Sequence, residues 1–591
     1  MDTHESHDVT ITYSRYRDME RPEVIDAKLA QSDNELLAQI GYKQELKRKF
    51  STLQVFGVAF SIMGLLPSIA SVLAQGLTGG TITLVWGWAI ASTFVLFIAI
   101  SMAELGSSLP TSGGLFYWTY FYAPERIRVF LSYLVGNTNS VALVGALCSV
   151  DYGFAGEVLA AVSISKDGDF DITSGKTYGV YAACVVSHIA ITCFASGFVS
   201  RLQTFSIVCN LGLIVLFFIA LPIGCKTNGV DFNKGSFIFA DNERFSNWSP
   251  GFNFVMNGFM PAVWTIGAFD SCVHMSEEAK DASHGVPIGI IGSVSACFGL
   301  GFFICIVIAA CMGPDVNAIL SSEFGSPIAQ IIYNGLGKNW AIAFMSLIAF
   351  CQWLMGASIL TAISRQIWAF ARDDGLPFAP IVKVVNRKLS TPIRAVVYGG
   401  ILALLLGCLC LIGTTAANAL FSLYIAGNYF SWGTPIFLRL TTGKHKFVPG
   451  KFYTGDIMSP IIGWTNCAFI TFIIALVMFP ANHGVDSVTM NYTVVITPGT
   501  MIIAVLYYIF YAKGKYQGPK SNLSEPSIIH EGDKVNDDEE VYVVHPLESV
   551  RSHADEKNLL REIASGELKP VLSTTHRVVD QEKATPPPYD A

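Results

Sequence analysis

The stretch Phe60–Ser68, reading FSIMGLLPS, interrupts an apolar segment of membrane-spanning length. About two hundred residues later Pro261–Asp270, reading PAVWTIGAFD, interrupts a second one. Gly/Pro breaks in corresponding segments of two halves point to the substrate site of a secondary transporter. The reason is backbone satisfaction. Orphan amides and carbonyls cost several kcal/mol in hydrocarbon, so an unwound turn persists there only against protein, water or a ligand. The chain reads as built to hold a small polar solute at mid-bilayer.

Composition sets the same frame. Of 591 residues, 52% are hydrophobic and only 14% charged, against about a quarter charged in an ordinary globular protein. Apolar runs long enough to cross the hydrocarbon core as helices recur from Leu53 to Ala512. The fold class is therefore an all-α polytopic membrane protein with about twelve transmembrane helices. They lie near 53–75, 82–104, 128–150, 178–198, 204–224, 252–275, 287–312, 340–364, 394–413, 418–438, 459–479 and 493–512. Lys43, Lys47, Arg48 and Lys49 precede the first, which predicts a cytosolic N-terminus by the positive-inside rule. Alternate loops agree, through Arg126 and Arg128, Arg201, Lys280, the run from Arg365 to Arg394, and that from Arg439 to Lys451. Both termini are expected in the cytosol of a cell whose plasma or vacuolar membrane holds the protein. The first fifty residues lack a charged-then-apolar leader, so the first span is expected to direct insertion.

Residues 1–50 then form a cytosolic N-terminal segment, 51–512 the twelve-span domain, and 513–591 a cytosolic tail too polar to fold alone. The amphipathic segment Phe324–Leu336 predicts a re-entrant or interfacial helix. Thirteen cysteines from Cys148 to Cys467 fall in or beside apolar segments and read as small hydrophobes, not as a disulfide or metal framework. No metal, cofactor or nucleic acid is expected. Asn247 and Asn491 head N-glycosylation patterns in loops predicted to face away from the cytosol.

The breaks carry the chemistry. Gly64 lets the chain leave helical geometry, and Pro67 lacks the N–H that would bond back to Met63. Proline also suits the start of a new half-helix. The amides of Leu65, Leu66, Ser68 and Ile69 would lie at its positive end, a ready carboxylate site. The carbonyls of Ser61 and Ile62 suit an ammonium group. In the second break Trp264, Thr265 and Gly267 precede Asp270, a carboxylate well inside the apolar stretch. An intramembrane acid is a functional-site hypothesis by default. It pairs with a substrate amine, accepts a coupling proton, or ties span six to a neighbour. Glu104 and Asp151 lie nearer the predicted span ends, where a structural or gating role fits, and His188 and His274 are further candidates for proton coupling because histidine is the side chain ordinarily poised near neutral pH.

Together with MAELGSSLPTSGGLFYWTY at Met102–Tyr120, AFDSCVHMSEEAKDASHGVPIGI at Ala268–Ile290 and SRQIWAFARDDGLP at Ser364–Pro377, these residues resemble the amino acid–polyamine–organocation superfamily. GYKQELKRKFSTLQVFG at Gly41–Gly57, GFMPAVWTIGAFDSCVH at Gly258–His274 and WAIAFMSLIAFCQ at Trp340–Gln352 narrow the likeness to its fungal GABA-specific permeases. The resemblance implies inverted five-helix repeats of the LeuT-like kind with spans one and six broken. It also implies proton-coupled uptake of 4-aminobutyrate (GABA), with putrescine or related amines as secondary substrates. It places Ile62, Gly64, Leu65 and Leu66 on the substrate-contacting turn of span one, and Trp264, Thr265, Gly267 and Asp270 on that of span six. Many relatives use a span-five lysine as the coupling charge, and Asn210 stands there in this chain. Asp270 becomes the first choice of proton carrier and Glu104 the second.

The chain closes on Pro586-Pro587-Pro588-Tyr589, the PPxY pattern gripped by WW domains, so a WW-domain ubiquitin ligase is an expected partner, with Lys557, Lys569 and Lys583 as acceptors. Rival readings are a permease for choline, polyamines or other amino acids, and a non-transporting nutrient sensor. No HExxH, GxSxG, Walker or GxGxxG arrangement supports an enzyme.

Overall fold

The computed structural model describes residues 34–38, 41, 42, 46, 48, 50–194, 199–386, 391–484 and 490–520. The PPxY residues Pro586, Pro587 and Tyr589, the tail lysines, and Lys43, Lys47 and Lys49 lie outside them. Two helices meet at the first break, α1 (Thr52–Met63) and α2 (Leu65–Thr78). Then come α3 (Thr81–Ser108), α4 (Gly114–Tyr122), α5 (Arg128–Ser165), α6 (Ser174–Phe194) and α7 (Val199–Thr227). α8 (Pro250–Thr265) and the short α9 (Ser271–His274) flank the second break. The chain continues through α10 (Ala282–Cys311), α11 (Pro327–Leu336), α12 (Lys338–Arg372), α13 (Ile393–Gly407), α14 (Thr414–Leu440), α15 (Met458–Leu476) and α16 (Thr493–Tyr507).

Nine segments among the described residues are long and apolar enough to cross a membrane. The other three predicted spans are helical too. α6 carries Lys176 and His188, α14 carries Asn418 and Asn428, and α8 is only 16 residues long. The lipid-facing character is plain on α7, where Phe205, Val208, Leu211, Val215, Ile219 and Ile223 are all exposed. A soluble protein rarely shows such a stripe. This is a multi-pass membrane protein.

Local sequence explains the element ends. Ser51 opens α1 with a capping box, its hydroxyl accepting from the Gln54 amide while the Gln54 side chain accepts from the Ser51 amide at 3.0 Å. The largest departure from the sequence reading is α5. Hydropathy ended it at Val150 because Asp151 and Glu157 follow, yet the helix runs to Ser165 and buries both acids. Asp151 is therefore a mid-helix residue, not a span-end one. The amphipathic segment forms α11, with Ile328, Ala329, Ile331 and Ile332 buried against α7, α12 and α2.

α5 packs on α12 and α14, and α3 packs on α10 and α8. The pairing is reciprocal, since α1 lies on α10 as α8 lies on α3. All thirteen cysteines are free thiols, ten of them buried. Asn491 is committed to structure. Its amide donates to the Val477 and Phe479 carbonyls at 2.9 and 2.8 Å, and its oxygen accepts from the Thr493 amide.

Candidate functional site

The first break is one residue wide. Gly64 alone sits in the left-handed region, at φ 36° and ψ 64°, ending α1 and starting α2. Its N–H still bonds the Phe60 carbonyl at 3.2 Å, and its own carbonyl takes the Ser68 amide at 2.9 Å. The donor set is smaller than the sequence suggested, because the Ser68 amide is spoken for and Ile69 lies past the first turn of α2. Helix geometry leaves the amides of Leu65 and Leu66 free, with Pro67 having none. Across the gap the Ser68 hydroxyl donates to the Met63 carbonyl at 2.6 Å, which stitches the two half-helices together. The carbonyls of Ser61 and Ile62 lie beyond the last ladder bond of α1. One end of the break thus offers donors and the other acceptors.

The second break is longer. The Ile266 amide closes α8 on the Ala262 carbonyl at 2.9 Å, and Ala268 then takes φ +54°, unusual for a residue with a Cβ. A Cβ at Gly267 would collide with the Tyr424 hydroxyl, so glycine lets α14 press against the turn. Phe269 is pinned on the Trp432 ring, with centroids 4.5 Å apart.

Both breaks open on one small cavity of about 10 Å³. Ile62 and Ser68 line it from the first break, and Trp264, Thr265, Gly267 and Ala268 from the second. Ala146, Ser149 and Val150 of α5, Met355 and Ile359 of α12, and Tyr424 of α14 complete the wall. The Trp264 indole N–H donates to the Ser149 hydroxyl at 3.2 Å and its ring packs on Phe421, which fixes its face. The hydroxyls of Thr265 and Ser61 are buried and have no partner among the described residues. Unused buried polar groups of this kind are rare unless something polar is meant to meet them.

Five predicted binding residues therefore meet at the cavity: Ile62, Ser68, Trp264, Thr265 and Gly267. Ser61, Gly64, Leu65 and Leu66 belong to the break but do not line the cavity, and neither does Asp270. Asp270 Oδ2 accepts from the Asn139 amide at 3.0 Å, and Asn139 also donates to Asn428 at 3.1 Å. His274 Nε2 stands 3.6 Å from the same oxygen, while its Nδ1 meets the Ser112 carbonyl at 3.1 Å. Asp270 thus ties the second break to α5 and α14. Glu104 is more fully engaged. Arg439 contacts it at 2.5 Å, Ser459 donates to it at 2.7 Å, and the Thr454 amide and hydroxyl take the other oxygen.

Asp151 and His188, separate in the sequence, meet in the fold with Nδ1 3.3 Å from Oδ2. His188 Nε2 also lies 2.8 Å from the Trp353 carbonyl, so the ring is held from both sides. Cys184 adds a thiol, and the three donor atoms lie within 4.8 Å of one another, the one metal-like grouping among the described residues. Glu157, one and a half turns further along α5, escaped the sequence reading because it lay beyond the predicted span end.

Comparison with known proteins gives a consistent picture. A family model described as amino acid permease matches residues 50–503. The chain is 58% identical over 502 residues to the GABA-specific permease of Saccharomyces cerevisiae, covering 85% of this chain and 88% of that protein. It is 31% identical to a putative polyamine transporter of Candida albicans, over 86% of this chain and 92% of that one. An amino-acid permease of Arabidopsis thaliana is 30% identical, over 82% of this chain and 96% of its own length.

Proposed function

Because this chain belongs to the amino acid permease family, we propose that its twelve helices carry GABA across a cell membrane together with protons. The observation that carries the reading is the shared cavity, since both helix breaks supply residues to it. GABA separates its charges by three methylenes, too far for a single backbone turn to hold both. Its carboxylate lies toward the positive end of α2, where Ser68 lines the cavity. Its ammonium lies toward the second break, over the Trp264 ring and near Thr265, where a cation–π contact adds about 1 kcal/mol. Asp270 sets the polarity of that turn from behind Gly267 and Ala268. Putrescine is a weaker substrate in this reading, supported by the polyamine transporter relative.

The basic loops support a reading with both termini in the cytosol, where the PPPY ending recruits a WW-domain ubiquitin ligase that limits residence in the plasma or vacuolar membrane. Deleting Pro586–Ala591 prolongs residence after substrate addition, and unchanged turnover would remove that part of the reading. The central test is uptake of labelled GABA into proteoliposomes with and without an inward proton gradient. Uptake that ignores GABA but responds to choline or to an α-amino acid would overturn the substrate assignment.

A further inference from the structure

Seven acids are buried among the described residues: Glu104, Asp151, Glu157, Asp270, Glu277, Glu278 and Asp373. Six have partners. Glu104, Glu277 and Glu278 hold arginines, Asp151 holds His188, Asp270 holds Asn139, and Asp373 accepts from Tyr42. Glu157 stands apart. It is 3% exposed, and neither carboxyl oxygen has a hydrogen-bond partner among the described residues. Ser71 lies beside it, but the Ser71 hydroxyl donates to the Pro67 carbonyl at 3.1 Å. Cys351 of α12 is the titratable neighbour, and no charged side chain among the described residues faces Glu157. The Asp151–His188 pair, six residues back on α5, is turned toward α6.

Position gives this isolation a meaning. On α5 the cavity residues Ala146, Ser149 and Val150 continue at helical spacing through Gly153 to Glu157. Ser71 follows the cavity residue Ser68 by one turn on α2, and Cys351 precedes Met355 by one turn on α12. Three helix faces thus run from the solute cavity to one carboxyl. Ser71 itself accepts from the Gln352 amide at 3.3 Å, which also donates to the Val150 carbonyl at 3.0 Å, so the path is bordered by polar groups.

We propose that Glu157 is the proton-carrying group of this permease, stationed just outward of the solute cavity. The proposal rests on the proton-coupled GABA reading above. An ionised carboxylate without a partner is expensive at this depth, so Glu157 enters the closed conformation as the carboxylic acid. A proton from the outer solution forms the carboxyl O–H, and its transfer to cytosolic water after the helices reopen breaks that bond. The departing proton leaves a carboxylate that water filling the emptied path solvates while the empty helices return outward, so one proton crosses with each solute.

Purified full-length protein in phosphatidylcholine vesicles tests this with labelled GABA. One proton per solute lets a gradient of one pH unit support about tenfold accumulation. Glu157→Gln is expected to lose that gradient-driven accumulation while exchanging internal for external GABA at close to the wild-type rate. Unchanged accumulation in Glu157→Gln overturns the proposal, and so does a well-folded variant that loses exchange as well. If Glu157→Gln does not fold, Glu157→Asp decides: a displaced pH midpoint of uptake supports the assignment and an unmoved one rejects it. Wild-type vesicles that exchange no GABA sink the functional reading and this proposal together, whereas normal wild-type exchange with unchanged gradient-driven accumulation in Glu157→Gln sinks the proposal alone.

Discussion

The molecule has two buried polar regions, and they are built on opposite principles. Near the ends of α3, α12 and α14 three buried arginines each meet a buried acid: Arg439 with Glu104, Arg372 with Glu277 at 3.2 Å, Arg365 with Glu278 at 2.8 Å. Arg439 also covers the Phe447 ring and Arg372 the Tyr42 ring. At the helix breaks, by contrast, the hydroxyls of Ser61, Thr265 and Ser271 and one oxygen of Asp270 have no partners among the described residues. A matched buried pair resists change because removing one member strands the other. A site with spare donors and acceptors can take up a solute and let it go. The first region holds the helices in register, and the second is left open for work.

Substitutions can break this contrast, and the matched region should suffer most. Glu104→Ala strands Arg439 and should cost about 3–5 kcal/mol. Thermal unfolding in detergent would show it, and a melt indistinguishable from wild type would mean the pair is less buried than the structure has it. Next comes Gly267→Ala, whose Cβ meets the Tyr424 hydroxyl. Overpacking there should cost about 1–3 kcal/mol locally and depress GABA uptake more than it depresses folding, with Tyr424→Phe recovering part of the loss. Trp264→Leu removes a ring face worth about 1 kcal/mol to a cation, so the KM for GABA should rise about fivefold with a smaller change in kcat.

The smallest effect is a pH dependence in the matched region. Burial pushes the Asp373 carboxyl up to about 7, against the opposing pull of Arg372, the Lys520 amide and Tyr42. A carboxyl raised in the folded state holds more protons than it would when free. Its contribution is complete below its ordinary range and is lost as pH rises through about 7. Hydrogen-exchange protection around Tyr42 and Lys520, taken relative to the intrinsic base-catalysed rate at each pH, should therefore rise between pH 8 and pH 6. Asp373→Asn should flatten that profile, and an unchanged slope would assign it to another group.

Much of the architecture was readable from Gly64, Pro67, Gly267 and Asp270, because broken helices in hydrocarbon need residues that few other structures need. Of the break residues that line the cavity, Ile62, Ser68, Trp264, Thr265 and Gly267 could be named from the sequence, and Ala268 was missed. What hydropathy could not deliver was the far end of α5. Two acids look like the edge of a span when each is scored alone, although a helix wrapped by protein can bury both. Partners were equally hidden. Nothing in the spacing of Glu104 and Arg439, or of Asp151 and His188, says that they touch, since each pair spans separate helices. Asp270 was legible as important and illegible as a residue facing Asn139 rather than the cavity.

Asp373 accepts from the Tyr42 hydroxyl at 3.2 Å and from the Lys520 amide at 3.0 Å. One side chain thereby fastens the stretch leading into the first helix to the stretch leaving the last. A substitution or covalent mark at Tyr42 will therefore be felt at Lys520, and the reverse holds as well. Anyone altering either residue is also editing the other's anchor.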